Sequence, residues 1–130
     1  MTVFNLIMPT EIKQQLIQHA KDELPNECCG YVTGVESTLK TVYQMTNVDA
    51  SPVHFNFDPK EQFQVVKAAR LNKEQPIVVY HSHPKSEAVL SDEDLRLLND
   101  PNMVYMIVSL DDSIPSIKAY QIFEGSVNDV

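Results

Sequence analysis

Apolar positions along the chain follow two rhythms. Between about Thr10 and Leu24, Ile12, Leu16, Ile17, Ala20 and Leu24 recur at helical spacing and predict a helix with one apolar stripe. Thr10 can cap its start, and Pro25 blocks its continuation. Cys28 to Val35 and Thr38 to Thr46 read as strands joined by a tight turn at Glu36-Ser37. Val53 to Phe57 alternates apolar and polar positions and reads as a short extended piece. Asp58 as N-cap, Pro59 at the first helical position and Glu61 at capping-box spacing predict a second helix to about Leu71. Phe63, Val66 and Ala69 or Arg70 fall near one face of it.

Ile77-Val78-Val79-Tyr80 has the composition of a buried strand and leads into His81-Ser82-His83-Pro84. Ser91 to Leu98 predicts a short helix. Met103 to Ser109 and Ile114 to Phe123 predict two closing strands, joined by a polar turn at Asp111-Asp112-Ser113. The tail after Gly125 is expected to fray. Helices interleaved with strands imply an α/β fold, a mixed sheet covered by helices, as one compact domain over residues 1–130.

Composition narrows the function classes. Ten Lys and Arg against 18 Asp and Glu give a formal net charge of −8, a poor match for a phosphate backbone, so no nucleic-acid partner is expected. No stretch approaches the roughly 18 apolar residues of a membrane span, and the N-terminal segment does not read as a secretory signal. Cys28 and Cys29 are the only cysteines, and as neighbours they build no disulfide framework. A reducing, cytoplasmic setting is the simpler expectation.

The chemistry concentrates in three places. Residues i and i+2 of a strand share a face, so His81 and His83 can reach one metal ion, and neutral imidazole is a good zinc ligand. Two polar residues at a strand end would also suit a plain surface. Ser91 and Asp94 have capping-box spacing ahead of Leu95, Leu97 and Leu98, which explains them as a helix start. A first-turn carboxylate can also point into a cleft, and Asp94 would complete a two-imidazole, one-carboxylate set with a fourth position open. Glu27 lies between a helix end and an apolar strand. It reads either as a solvated loop acid or as a general base beside activated water.

Together these residues resemble the JAMM motif of the MPN+ (Mov34/PAD-1) metallopeptidases. Glu27 is followed at a distance by His81-Ser82-His83-Pro84, then ten residues, then Asp94 with Ser91 three positions before it. The resemblance covers most of the chain. It implies a cytidine-deaminase-like fold, a catalytic Zn2+, and hydrolysis of peptide or isopeptide bonds at the C-terminal tail of a ubiquitin-like protein. It implies His81, His83 and Asp94 as metal ligands, Glu27 as the acid/base and Ser91 as a stabiliser of the oxyanion. Glu27-Cys28-Cys29-Gly30 and the short chain are most similar to the small prokaryotic branch, associated with sulfur-carrier proteins of ubiquitin-like fold. The intervals Pro84–Ser91 and Asp100–Met103 leave no room for large lids. A homodimer is left open.

Other readings compete. A non-catalytic scaffold of the same fold would be expected to lack some ligands, and none is missing. A zinc nucleobase deaminase needs His-x-Glu and Cys-x-x-Cys, and neither occurs. A thiol nucleophile at Cys28 or Cys29 competes with simple burial. The two cysteines must face opposite ways in a regular strand, so one can border the cleft. Ser82, opposite the histidines, is assigned a structural role. His19 and His54 are read as structural or surface residues, and Tyr80 as core.

Overall fold

The computed structural model describes residues 5–98, 100–123 and 126–129. The elements run α1 (Thr10–Asp22), β1 (Cys29–Val35), β2 (Thr38–Met45), α2 (Pro59–Leu71), β3 (Gln75–His83), α3 (Asp92–Leu97), β4 (Val104–Ser109), β5 (Ser116–Phe123) and β6 (Ser126–Asp129). The strands form one sheet in the order β2-β1-β3-β4-β5-β6. Among the described strands β3 and β4 pair in parallel, and the other neighbouring pairs are antiparallel. This is the α/β architecture predicted from the sequence, a mixed sheet flanked by helices.

Strand parity divides the interior into two cores. On one face Cys28, Val32, Val78, Tyr80, Val104, Met106 and Val108 pack beneath Ile12, Leu16 and Ala20 of α1. On the other, Cys29, Val79, Tyr105 and Ile107 pack against Val65 of α2 and against Phe55, Ala88, Leu90 and Leu98 from the connecting segments. Cys28 and Cys29 therefore lie on opposite faces, as alternation requires. Cys29 pairs across the ladder with His81.

Several local expectations give way to tertiary contacts. Thr10 does not cap α1: it is the first helical residue, Pro9 holds the cap position, and no side chain supplies a cap bond. The helix ends at Asp22, so Leu24, 49% exposed, lies past the stripe that Ile12, Leu16 and Ala20 bury. Asp58 does cap α2, accepting the Lys60 N–H at 2.9 Å. Glu61 makes no capping box: its carboxylate takes the N–H and hydroxyl of Thr46 at 2.7 and 2.8 Å, tying α2 to the end of β2. The buried face of α2 is Val65 and Ala69, while Phe63 is 66% exposed and sits under Lys67. Val53 to Phe57 forms no strand, although Phe55 is buried. Residues 126–129, expected to fray, pair with β5 as β6.

The remaining histidines follow expectation. His19 is buried with its Nδ1 2.7 Å from the Tyr80 hydroxyl, and burial lowers its pKa. His54, half exposed, pairs with Asp49 at 3.0 Å. Among the described residues, no helix is long and apolar enough to cross a membrane.

Tyr80 needs Gly30. A Cβ on Gly30 would come within 2.4 Å of the Tyr43 carbonyl oxygen and 2.5 Å of the Tyr80 ring. Overpacking of this kind typically costs about 1–3 kcal/mol. Gly30→Ala is expected to lower the midpoint of chemical denaturation by that order; an unchanged midpoint would show that Tyr80 moves aside freely.

Candidate metal centre

β3 runs without a break through His83, so its parity governs the site. His81 and His83 leave on the α2 face. Ser82 leaves on the opposite one, where its Oγ accepts the Cys28 N–H at 2.7 Å while its own N–H donates to the Cys28 carbonyl at 3.1 Å. The structural role assigned to Ser82 is thus a pin between β3 and the residue after Glu27.

Asp94 arrives from α3. Ser91 and Asp94 form the predicted capping box: the Ser91 Oγ accepts the Asp94 N–H at 3.0 Å, and Asp94 Oδ2 accepts the Ser91 N–H at 3.0 Å. The same Oδ2 lies 3.2 Å from each imidazole Nε2, and the two Nε2 atoms are 3.1 Å apart. Cap and ligand are therefore one arrangement, since the bond that starts the helix also aims the oxygen. The Ser91 hydroxyl accepts in the cap, which leaves its proton available to donate.

The three atoms make a nearly equilateral triangle. Bonds of about 2.0–2.1 Å to a tetrahedral ion imply ligand–ligand edges of about 3.3–3.4 Å, close to those observed. The protonation pattern points the same way. His83 Nδ1 lies 2.8 Å from the Glu87 carbonyl, which can only accept, so this nitrogen carries the proton. In the neutral ring Nε2 then presents a lone pair toward the lone pairs of Asp94. Two imidazole nitrogens and a carboxylate oxygen converging on one point fit a cation.

Without one, the cluster draws in protons. Burial opposes the His83 cation, but the hydrogen bonds to Asp94 and the Glu87 carbonyl, together with the charges of Asp94 and Glu27, outweigh it and raise the pKa. Burial lowers that of His81, which is completely enclosed. Burial alone would raise Asp94, yet the hydrogen bonds from His81 and His83 hold its carboxyl well below the usual carboxylate range.

Glu27 is 3% exposed, and its Oε1 has no hydrogen-bond partner among the described residues. Burial pushes its carboxyl up from 4.5 to about 8, with His83 pulling it down and Asp94 and Glu93 pushing it up. The structure thus brings Glu27 within electrostatic reach of the triangle and places Ser91 one helical turn before the ligand carboxylate. The thiols are poor nucleophile candidates: burial lifts Cys28 to about 12 and Cys29 higher still.

Sequence reasoning missed two groups here. Phe55 stacks on His81 with ring centroids 4.7 Å apart, and the Glu87 main-chain carbonyl orients His83. The buried member of the Val53 to Phe57 alternation was the only signal for Phe55. A carbonyl leaves none.

The buried Glu27 acid has a pH signature. In the metal-free fold it keeps its proton up to about 8, whereas in the unfolded chain it releases it near 4.5. Its contribution is full below the lower value and is lost as pH rises through the higher one. The stability of the metal-free protein relative to metal-free Glu27→Gln is expected to fall across that interval. Parallel curves in denaturation series would show Glu27 to be solvated.

The chain matches known proteins over nearly its whole length. The profile of prokaryotic homologs of the JAB domain matches residues 9–122. A CysO-cysteine peptidase of Mycobacterium tuberculosis is 32% identical over 131 residues, covering 98% of this chain and 90% of that one. A desampylase of Haloferax volcanii is 31% identical over 119 residues, covering 85% of each. The solution structure of protein DSY2949 from Desulfitobacterium hafniense superposes with a TM-score of 0.86 at 35% identity, covering 95% of this chain and 88% of that one. The chain belongs to the prokaryotic JAB-domain family, the JAMM/MPN group to which these peptidases are related.

Proposed function

We propose that the protein is a cytoplasmic, single-domain zinc peptidase that hydrolyses a peptide or isopeptide bond at the C-terminal tail of a small ubiquitin-like or sulfur-carrier protein. The observation that carries this reading is the triangle of His81, His83 and Asp94, with the buried carboxylate of Glu27, its Oε1 without a hydrogen-bond partner among the described residues, within their electrostatic reach. The similar CysO-cysteine peptidase and desampylase support it.

His81, His83 and Asp94 hold the metal in this reading. A zinc ion there supplies Lewis acidity, which activates water near neutral pH and polarises a carbonyl. Glu27 takes the proton of the attacking water and delivers it to the leaving nitrogen. Glu27, protonated up to about 8 in the metal-free fold, would be ionised at lower pH with a cation held in the triangle. The Ser91 hydroxyl donates to the oxygen on which negative charge develops.

The sheet topology bears on how a tail is held. The outermost strands are β2 and β6, two and three places from β3. A tail that reaches the triangle therefore binds along the segments flanking the cluster, 47–57 and 84–91, rather than by extending the sheet. Glycines at the scissile end let its backbone come close.

Purified protein is expected to hold about one zinc per chain by elemental analysis. His81→Ala and Asp94→Ala are expected to weaken its retention; full occupancy in a His81→Ala/His83→Ala double variant would move the site elsewhere.

Glu27→Gln is expected to keep the fold and the zinc while turnover drops by roughly 10²–10⁴-fold, the usual contribution of a general acid–base group. Unchanged turnover would remove Glu27 from the chemistry.

The substrate assignment is checked with C-terminal fusions to a sulfur-carrier protein, to ubiquitin and to an unrelated folded protein. Mass spectrometry should find the carrier fusion cut fastest, just after its terminal glycines. Equal cutting of all three, or none with zinc bound, would reject the assignment.

A further inference from the structure

One amide side chain links the two halves of the site. Asn47 lies just past β2 and is buried. An asparagine amide offers two N–H donors and an oxygen with two lone pairs. All four are engaged. Nδ2 donates to the Glu27 carbonyl at 3.1 Å and to the His54 carbonyl at 3.0 Å. Oδ1 accepts the N–H of Asp49 at 3.1 Å and of Asn56 at 3.2 Å.

Two of those bonds grip the peptide groups on either side of Phe55, whose ring stacks on His81 at an interplanar angle of 24°. His81 needs this support. Ligand histidines usually donate their second ring nitrogen to an acceptor, which fixes the ring. His83 does so at Glu87, but the buried Nδ1 of His81 has no partner among the described residues. A third bond holds the Glu27 carbonyl, while the Glu27 N–H donates to Ser51 at 2.8 Å. The same segment thus holds the main chain of the base at both its N–H and its C=O.

We propose that Asn47 is the positioning residue of this site, fixing Glu27 through its main chain and His81 through Phe55. The inference rests on the zinc-peptidase reading. Alanine at this position removes all four bonds. Aspartate keeps the size and the two acceptor bonds but turns oxygen lone pairs toward the Glu27 and His54 carbonyls.

The test uses the full chain, with denaturation and circular dichroism confirming that each variant folds. Zinc affinity is read on the metal-free protein by competition with a chromophoric chelator. Then kcat and KM are read across pH on the carrier fusion at saturating zinc. Asn47→Ala and Asn47→Asp are expected to weaken zinc binding and to lower kcat, each by about 10–100-fold as for groups that orient metal ligands, with a smaller change in KM and a shifted acid limb of the kcat profile. Phe55→Leu is expected to weaken zinc binding while keeping the parent's acid limb, because the grip on Glu27 is intact.

Folded Asn47 variants that match the parent in zinc affinity and kcat overturn the proposal. So does Phe55→Leu with parental zinc affinity, which decides the His81 half even if neither Asn47 variant folds. A parent that holds zinc but cuts no fusion rejects the substrate assignment, and the zinc measurements then decide the positioning role. A parent that binds no zinc overturns both.

Discussion

Three polar atoms converge within about van der Waals contact of one another at a largely buried site. Nε2 of His81, Nε2 of His83 and Oδ2 of Asp94 lie 3.1–3.2 Å apart, and all three residues are buried. Such a cluster repels itself unless a positive charge sits among its members. The surrounding structure fixes where these atoms meet. β3 supplies two members of the cluster from one strand, and the start of α3 supplies the third already aimed by its own cap.

The segment between the second histidine and α3 is fastened in the same spirit. Three successive carbonyls, of Ser86, Glu87 and Ala88, each meet a side chain from the sheet: the Ser109 hydroxyl at 2.6 Å, His83 Nδ1 at 2.8 Å and the Tyr120 hydroxyl at 2.7 Å. These side chains come from β4, β3 and β5, so the segment is tied to three adjacent strands. A crossover between the parallel strands β3 and β4 becomes a fixed bracket for Ser91 and Asp94. Preorganisation of this kind lets a site hold charge without rearranging around it.

The sequence made some of this legible, for identifiable reasons. His81 and His83 were readable because strand parity is local, and Ser91 with Asp94 because capping is local. The same parity separated Cys28 from Cys29. Glu27 was readable only through resemblance, since nothing in its neighbours says that it is buried. Helix α2 shows the limit: its moderately apolar faces compete, and the sheet takes Val65 and Ala69 rather than Phe63. Glu61 was misread because a distant threonine outcompeted the nearby cap. β6 requires β5 as a template, which no local pattern contains. Asn47, Phe55 and the Glu87 carbonyl act across 20 to 26 residues or through main-chain atoms, where residue type carries little signal.

The two cores on opposite faces of the sheet divide the burden of mutation. The α1 face is largely apolar, and the Ser82 pin ties it to the strand that carries His81 and His83. The segments 47–57 and 84–91 lie on the other face, where Asn47, Phe55 and the Glu87 carbonyl support the cluster, so substitutions there reach the site while the α1 layer continues to hold the sheet. A scaffold built this way can absorb change on one face of its sheet while the other keeps the strands in register.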